Sequence, residues 1–176
     1  MRFYQNRCAL KELLVAASLG LITLCLAARL FIKIDRYAVN ILFSDQWDTY
    51  APLFYDYGFW QTFTLQHGPP RLGVGMFVTE IVARATGWDS RAEAFASGCI
   101  LLVATVAALY LKRRLFHKLT FWDSLIPLIF LGLPQVAAHS VVPFPAYSAV
   151  PMLLLMGYAI CLTFCSIRLR YGALAL

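Results

Sequence analysis

The feature that most constrains this chain is its long stretches without any charged residue. Residues 124–167 contain no Asp, Glu, Lys or Arg, and residues 13–28 and 94–111 are likewise uncharged and mostly apolar. A bilayer core is crossed by about 20 apolar residues. The chain is 61% hydrophobic and only 14% charged, whereas a soluble domain is about one quarter charged. The sequence therefore predicts an integral membrane protein.

We predict an all-α polytopic fold with four transmembrane helices in a single membrane domain, residues 1–176. The first span includes Arg29, which can snorkel to the interface from a position near a helix end. Pro143-Phe144-Pro145 divides the longest uncharged run, because proline removes a backbone donor and restricts its neighbour. The predicted spans are about residues 12–32, 94–111, 122–142 and 147–167.

Basic residues set the predicted orientation. Nine of them flank the four spans on a single side: Arg2, Arg7, Lys11, Lys112, Arg113, Arg114, Lys118, Arg168 and Arg170. Lys and Arg accumulate on the cytoplasmic side of membrane proteins, so both termini are expected in the cytoplasm of a bacterial inner (plasma) membrane. A nucleic-acid partner is not expected. A protein that binds nucleic acid concentrates its basic residues on one exposed module, whereas the basic residues of this chain flank the apolar spans. A cleaved signal peptide is the rival explanation of the first apolar segment.

Residues 33–93 form the predicted extracytoplasmic loop, which is acidic and rich in aromatic residues. Seven of the nine acidic residues, but only four of the fifteen basic ones, lie within residues 34–94. The spacing of apolar residues predicts a helix near residues 72–86, lying along the membrane surface. Gly87 is expected to end that helix and Asp89-Ser90 to begin the next. A further short helix is predicted within residues 46–56.

Two carboxylates lie in the Ser44-Asp45-Gln46-Trp47-Asp48 segment, soon after the first span. Asp45 and Asp48 are three residues apart and would share one face of a helix. A carboxylate beside the membrane can act as a general base, or can help to hold a divalent cation that binds a phosphate. The alternative is a solvent-exposed loop in which Asp45 caps a helix that begins at Gln46.

Gln66-His67-Gly68-Pro69-Pro70-Arg71 is the second cluster that could carry chemistry. It combines an imidazole, a stiff turn and a guanidinium that is suited to bidentate phosphate binding. The predicted substrate-binding set is His67, Arg71, Trp47 and Gln66. The alternative is an ordinary turn in which Arg71 lies near lipid head groups.

This layout resembles the N-terminal part of the GT-C class of membrane glycosyltransferases. Members begin with a short cytoplasmic tail and one transmembrane helix, followed by a long outward loop with an acidic residue soon after the helix. The matching positions are Asp45 and Asp48, with the QHGPPRLG run after them. The resemblance implies that one aspartate is the catalytic base or a metal contact, and that His67 or Arg71 binds the lipid phosphate.

The resemblance further implies a polyprenyl-phosphate sugar as donor, membrane lipid as surroundings, and transfer of a hexosyl or pentosyl unit at the cell envelope. A divalent cation is the one cofactor it suggests. Because members continue with many more transmembrane helices, we expect this chain to be the start of such an enzyme. The alternative is a non-catalytic membrane protein or assembly subunit whose aromatic loop binds a partner.

Overall fold

The computed structural model describes residues 2–42, 46–67, 71–134 and 149–165, and these residues are predominantly helical. In chain order the helices are α1 (Arg2–Tyr37), α2 (Gln46–Thr49), α3 (Ala51–Phe54), α4 (Phe59–Phe63), α5 (Val74–Thr86), α6 (Ser90–Phe116), α7 (Phe121–Gly132) and α8 (Ala149–Phe164). Within these ranges there is no strand, and Gln66 and Arg71 form an isolated antiparallel bridge. The all-α prediction is confirmed for this part of the chain.

Among the residues that the structure describes, two helices are long and apolar enough to cross a bilayer: Leu10–Tyr37 within α1, and α6. In the most apolar 18-residue stretch of each helix, only 22% and 33% of the residues are buried within the protein. An apolar helix in the core of a soluble protein would be mostly buried. Large aliphatic side chains such as Leu13, Leu21 and Leu24 are exposed. Such exposure is what a lipid environment requires.

The third and fourth predicted spans, 122–142 and 147–167, are represented by two shorter apolar helices, α7 and α8. α7 is irregular: a 3₁₀ turn (Phe121–Ser124) leads into an α turn (Leu125–Pro127) and a π turn (Leu128–Gly132). The Pro143-Phe144-Pro145 turn lies outside the described residues. Four crossings therefore stay a prediction, while two candidate spans are present.

The core follows the contact of α1 with α6. Small residues let helix backbones approach closely within a membrane. A Cβ on Gly98 of α6 would lie 2.8 Å from Phe31 Cε1 and 3.2 Å from Ile34 Cδ1. The buried cluster comprises Ala27, Leu30, Ile34 and Ala38 of α1, Ala94 and Leu101 of α6, Leu131 of α7 and Ala149 of α8. The two long helices thus form the centre of the fold.

The helix boundaries around α5 follow local capping chemistry. α5 begins at Val74 and ends at Thr86, close to the predicted 72–86. Gly87 adopts the left-handed conformation (φ 66°) that ends the helix. The Asp89 carboxylate accepts a hydrogen bond of 3.0 Å from the Arg91 backbone and caps α6. Both boundary predictions are confirmed, and α2 and α3 occupy most of the helix predicted within residues 46–56.

Gly98→Leu is expected to destabilise the protein by about 1–3 kcal/mol, because the larger side chain overpacks the α1–α6 contact. Gly157→Leu on α8 is the matched control, since a Cβ there meets nothing within 4 Å. Reversible unfolding of the purified protein in mixed detergent micelles measures both variants. Equal stability of Gly98→Leu and Gly157→Leu would contradict the close contact.

Candidate functional site

The candidate site lies on the segment between α1 and α6, and the two ends of that segment are tied together. Arg91 Nη2 donates to the Asp35 carboxylate at 2.5 Å and to the Asp35 backbone carbonyl at 2.9 Å. The Ser90 backbone donates to Asn40 Oδ1 at 2.9 Å. These contacts join the end of α1 to the start of α6, and we call the described residues between them, 46–67 and 71–89, the cap of this end of the helix pair.

A buried hydrogen bond fastens the cap to α6. Tyr50 and Glu93 are each 1% exposed, and the Tyr50 hydroxyl donates to Glu93 Oε1. Burial raises the pKa of Tyr50, and the hydrogen bond to Glu93 and its charge raise it further. The hydroxyl therefore keeps its proton and stays a donor. Because a buried carboxyl without a partner is costly, this contact fixes residue 50 over the start of α6.

Aromatic rings pack around the hydrogen bond between Tyr50 and Glu93. The ring of Trp88 lies 6.1 Å from that of Tyr50 and 5.0 Å from that of Phe54. Trp47 stacks on Phe54 at 6.2 Å with 18° between the ring planes. Trp47 remains 57% exposed. This candidate substrate-binding residue therefore packs within the cap on one side and stays accessible beside Asp48.

Asp48 and His67 lie next to each other. Asp48 Oδ2 is 3.7 Å from His67 Nδ1, which is too long for a hydrogen bond but is an ion-pair distance when the imidazole is protonated. The Asp48 side chain is 75% exposed and that of His67 is 22% exposed. Asp48 therefore lies beside the segment after α4, with its carboxylate open to solvent.

Arg71 takes part in the structure of the turn. Its Nη1 donates to the Thr64 carbonyl at 3.0 Å, and the Leu72 backbone donates to the Leu65 carbonyl at 3.1 Å. Gln66 faces Arg71 across the isolated bridge. A guanidinium has five N–H donors, so an exposed Arg71 keeps donors for an anion while one of them supports the turn. No local sequence pattern predicts this contact of Arg71 with the Thr64 carbonyl.

Asp45 and the Gly68-Pro69-Pro70 turn lie outside the described residues, so the pairing of Asp45 with Asp48 stays a prediction. Within the described ranges, no group of three or more His, Cys, Asp or Glu side chains could hold a metal ion. Asp48 and His67 offer two donors. Magnesium is commonly held by one or two carboxylates together with substrate phosphates, so Asp48 fits a cation that enters with its substrate.

Glu93 is the residue of this site that the sequence reasoning missed. The sequence pattern places it only among the acidic residues of the outer loop, directly before the uncharged run 94–111. That position was the available signal, because a carboxylate at the edge of a transmembrane segment requires a partner. The partner, Tyr50, lies 43 residues earlier.

Comparisons with protein-family models, with curated proteins and with solved structures find no match to this chain. The function must therefore be argued from the residues of the site. A shared fold would not have decided the chemistry in any case, since function depends on the site that a fold carries.

Tyr50→Phe is expected to loosen the cap, because it leaves the Glu93 carboxyl buried without its donor at a cost of about 1–3 kcal/mol. Hydrogen exchange of residues 46–54, followed by mass spectrometry, should accelerate by roughly tenfold or more. Tyr55→Phe is the control, because it removes a hydroxyl from a side chain that is 72% exposed. Identical exchange in the two variants would show that the buried hydrogen bond does not hold the cap.

Proposed function

We propose that this protein acts as a membrane glycosyltransferase of the GT-C type, using a polyprenyl-phosphate sugar at the outer face of the membrane. The observation that carries the proposal is the 3.7 Å approach of Asp48 to His67 on an ordered cap beside the membrane ends of α1 and α6. Transfer with a phosphate leaving group needs a base near the nucleophile and positive charge near the leaving oxygens. Asp48 and His67 are groups of these two kinds.

In the proposed reaction, a hydroxyl of the acceptor attacks C1 of the donor sugar. The carboxylate of Asp48 takes the hydroxyl proton as the bond between the acceptor oxygen and C1 forms. The bond between C1 and the phosphate oxygen breaks, and the polyprenyl phosphate leaves with the electron pair. His67 and the remaining donors of Arg71 stabilise its negative charge by donating hydrogen bonds to the phosphate oxygens. Asp45, three residues earlier, is the alternative base in the same proposal, with Asp48 then acting as its support or as a metal contact.

The proposal includes four membrane crossings, with both termini in the cytoplasm of a bacterial inner membrane. α1 and α6 supply two crossings, and the segments around α7 and α8 supply the others. The chain between α1 and α6 is acidic, whereas the last turn of α6 carries Arg113 and Arg114 and the connection after it carries Lys118. The positive-inside rule assigns that basic end to the cytoplasm and Asp48 to the outer face.

A second candidate function is that of a non-catalytic membrane subunit whose cap binds a partner protein. The observation in its favour is the exposure of aromatic rings: Tyr55 is 72%, Phe59 62% and Trp60 70% exposed. Rings of this kind are also common where a protein meets lipid head groups. The two functions differ in their need for Asp48, because an aromatic binding surface does not depend on a carboxylate base.

Asp48→Asn is expected to reduce sugar transfer by about a hundredfold or more, because general acid–base catalysis contributes typically 10²–10⁴-fold. The assay uses membranes containing the protein and a radiolabelled polyprenyl-phosphate sugar. Asp56→Asn is the matched control, because the Asp56 side chain is 98% exposed and its backbone (φ 50°) is one that Asn tolerates. Wild-type rates in Asp48→Asn and Asp45→Asn together would exclude both as the base. If the wild type shows no transfer and Trp60→Ala loses binding of a partner protein, the second function, a non-catalytic membrane subunit, is favoured.

Cysteine labelling tests the proposed topology, in a variant whose native cysteines are replaced by serine. Trp60→Cys should react with a membrane-impermeant maleimide from the outer face, and Lys11→Cys only after permeabilisation. Both positions are exposed on the protein. Whether the maleimide reaches each cysteine should therefore depend only on the side of the membrane on which that cysteine lies. Labelling of residue 60 solely from the cytoplasmic side would overturn the orientation.

A further inference from the structure

A charged cavity lies at the end of α1 and α6 that is opposite to the Asp48–His67 pair. Its volume is about 280 Å³, and it is lined by Glu12, Leu13 and Ala16 of α1 together with Arg113, His117 and Lys118 at the end of α6. The start of α1 thus faces the end of α6 across a space of a size suited to a small head group.

Two basic side chains of this cavity are left without a partner of opposite charge. Lys112 is engaged with Asp123, Nζ to Oδ2 at 3.0 Å, and Arg114 lies over the ring of Phe164 at 5.4 Å. Within the described part of the chain, Arg113 and Lys118 form no such ion pair, although Glu12 lines the same cavity. The cavity therefore presents positive charge that an anion could neutralise.

An apolar groove lies deeper between the same two helices. It also measures about 280 Å³ and is lined by Gly20, Leu24 and Ala27 of α1 and by Leu102, Val106 and Leu109 of α6. The absence of a side chain at Gly20 leaves open space, since a Cβ there would meet nothing within 4 Å.

The charged cavity and the apolar groove are aligned. Their lining positions recur every three or four residues, at 12, 16, 20, 24 and 27 on α1 and at 102, 106, 109 and 113 on α6. Positions with this spacing lie on one face of a helix. The charged cavity and the apolar groove share no lining residue, but they follow one another along the helix pair and together mark a path that covers about 17 Å of α1 between residues 16 and 27.

We propose that this path binds an anionic glycerophospholipid, with its phosphate at Arg113 and Lys118 and an acyl chain along Gly20 and Val106. Basic pockets between transmembrane helices are suited to anionic head groups. Two cationic side chains against the single carboxylate of Glu12 favour an anionic over a zwitterionic lipid. The proposal needs only that α1 and α6 cross a membrane, and it does not depend on glycosyl transfer.

Head-group binding is tested by titrating delipidated protein in detergent micelles with phosphatidylglycerol and counting bound lipid by native mass spectrometry. Arg113→Ala and Lys118→Ala should each weaken binding by about fivefold. Lys11→Ala is the matched control, because it removes one exposed positive charge from the same end of α1 without lining the cavity. An equal loss in Lys11→Ala would overturn a specific head-group site.

Acyl-chain binding is tested by Gly20→Phe, whose ring would fill the groove. This variant should weaken phosphatidylglycerol binding by roughly tenfold, because apolar contacts with the chain are lost, while the melting temperature stays close to that of the wild type. Gly157→Phe is the control, since a Cβ there also meets nothing within 4 Å and the residue does not line the groove. Unchanged binding in Gly20→Phe would overturn the acyl-chain assignment.

Two further ligands separate a lipid from other sources of phosphate. Phosphatidylcholine should bind more weakly than phosphatidylglycerol, and a large excess of glycerol 3-phosphate should leave the bound lipid in place. Equal binding of the two lipids would overturn the role of charge. Displacement of phosphatidylglycerol by glycerol 3-phosphate would assign the charged cavity to a soluble phosphate and overturn the lipid proposal.

Discussion

Close packing of α1 against α6 is the constraint on which the other features depend. Helices in lipid gain little from apolar burial against one another, so their association requires backbones that approach closely. Gly98 supplies that approach where Phe31 and Ile34 lie against α6. Because the two helices are antiparallel, the end of α1 meets the start of α6 at one face, and the start of α1 meets the end of α6 at the other. The acidic and basic parts of the chain are sorted to these two ends.

The short helices of the cap depend on tertiary contacts for their stability. α2 and α3 contain four residues each, far fewer than an isolated helix needs in water. The conformational entropy of ordering them has to be offset by tertiary contacts. The Tyr50–Glu93 hydrogen bond and the rings around Trp88 supply these contacts. The position of Asp48, two residues before Tyr50, therefore depends on a carboxyl group of α6.

The features that could be predicted from the sequence were largely those that depend on residues close together in the chain. Gly87 and Asp89 mark helix boundaries because the left-handed turn and the N-cap need only their neighbours. Hydropathy located the apolar part of α1, about residues 12–32, but it carries no information on the helix ends at Arg2 and Tyr37, because it reports apolar character and not backbone capping. The partner of Glu93 and the Thr64 carbonyl beside Arg71 are through-space contacts. No local pattern encodes them, so the sequence left both unassigned.

The two ends of the helix pair have opposite chemistry, and this separation matters to both proposals. Glu93 and Arg113 lie 20 residues apart on α6, which corresponds to about 30 Å along the helix, with the tight Gly98 contact between them. The lipid groove and the Asp48–His67 pair share no residue through which their ligands could compete. In the two proposals, the polyprenyl phosphate meets His67 and Arg71 at one end of the helix pair, and the phospholipid meets Arg113 and Lys118 at the other end.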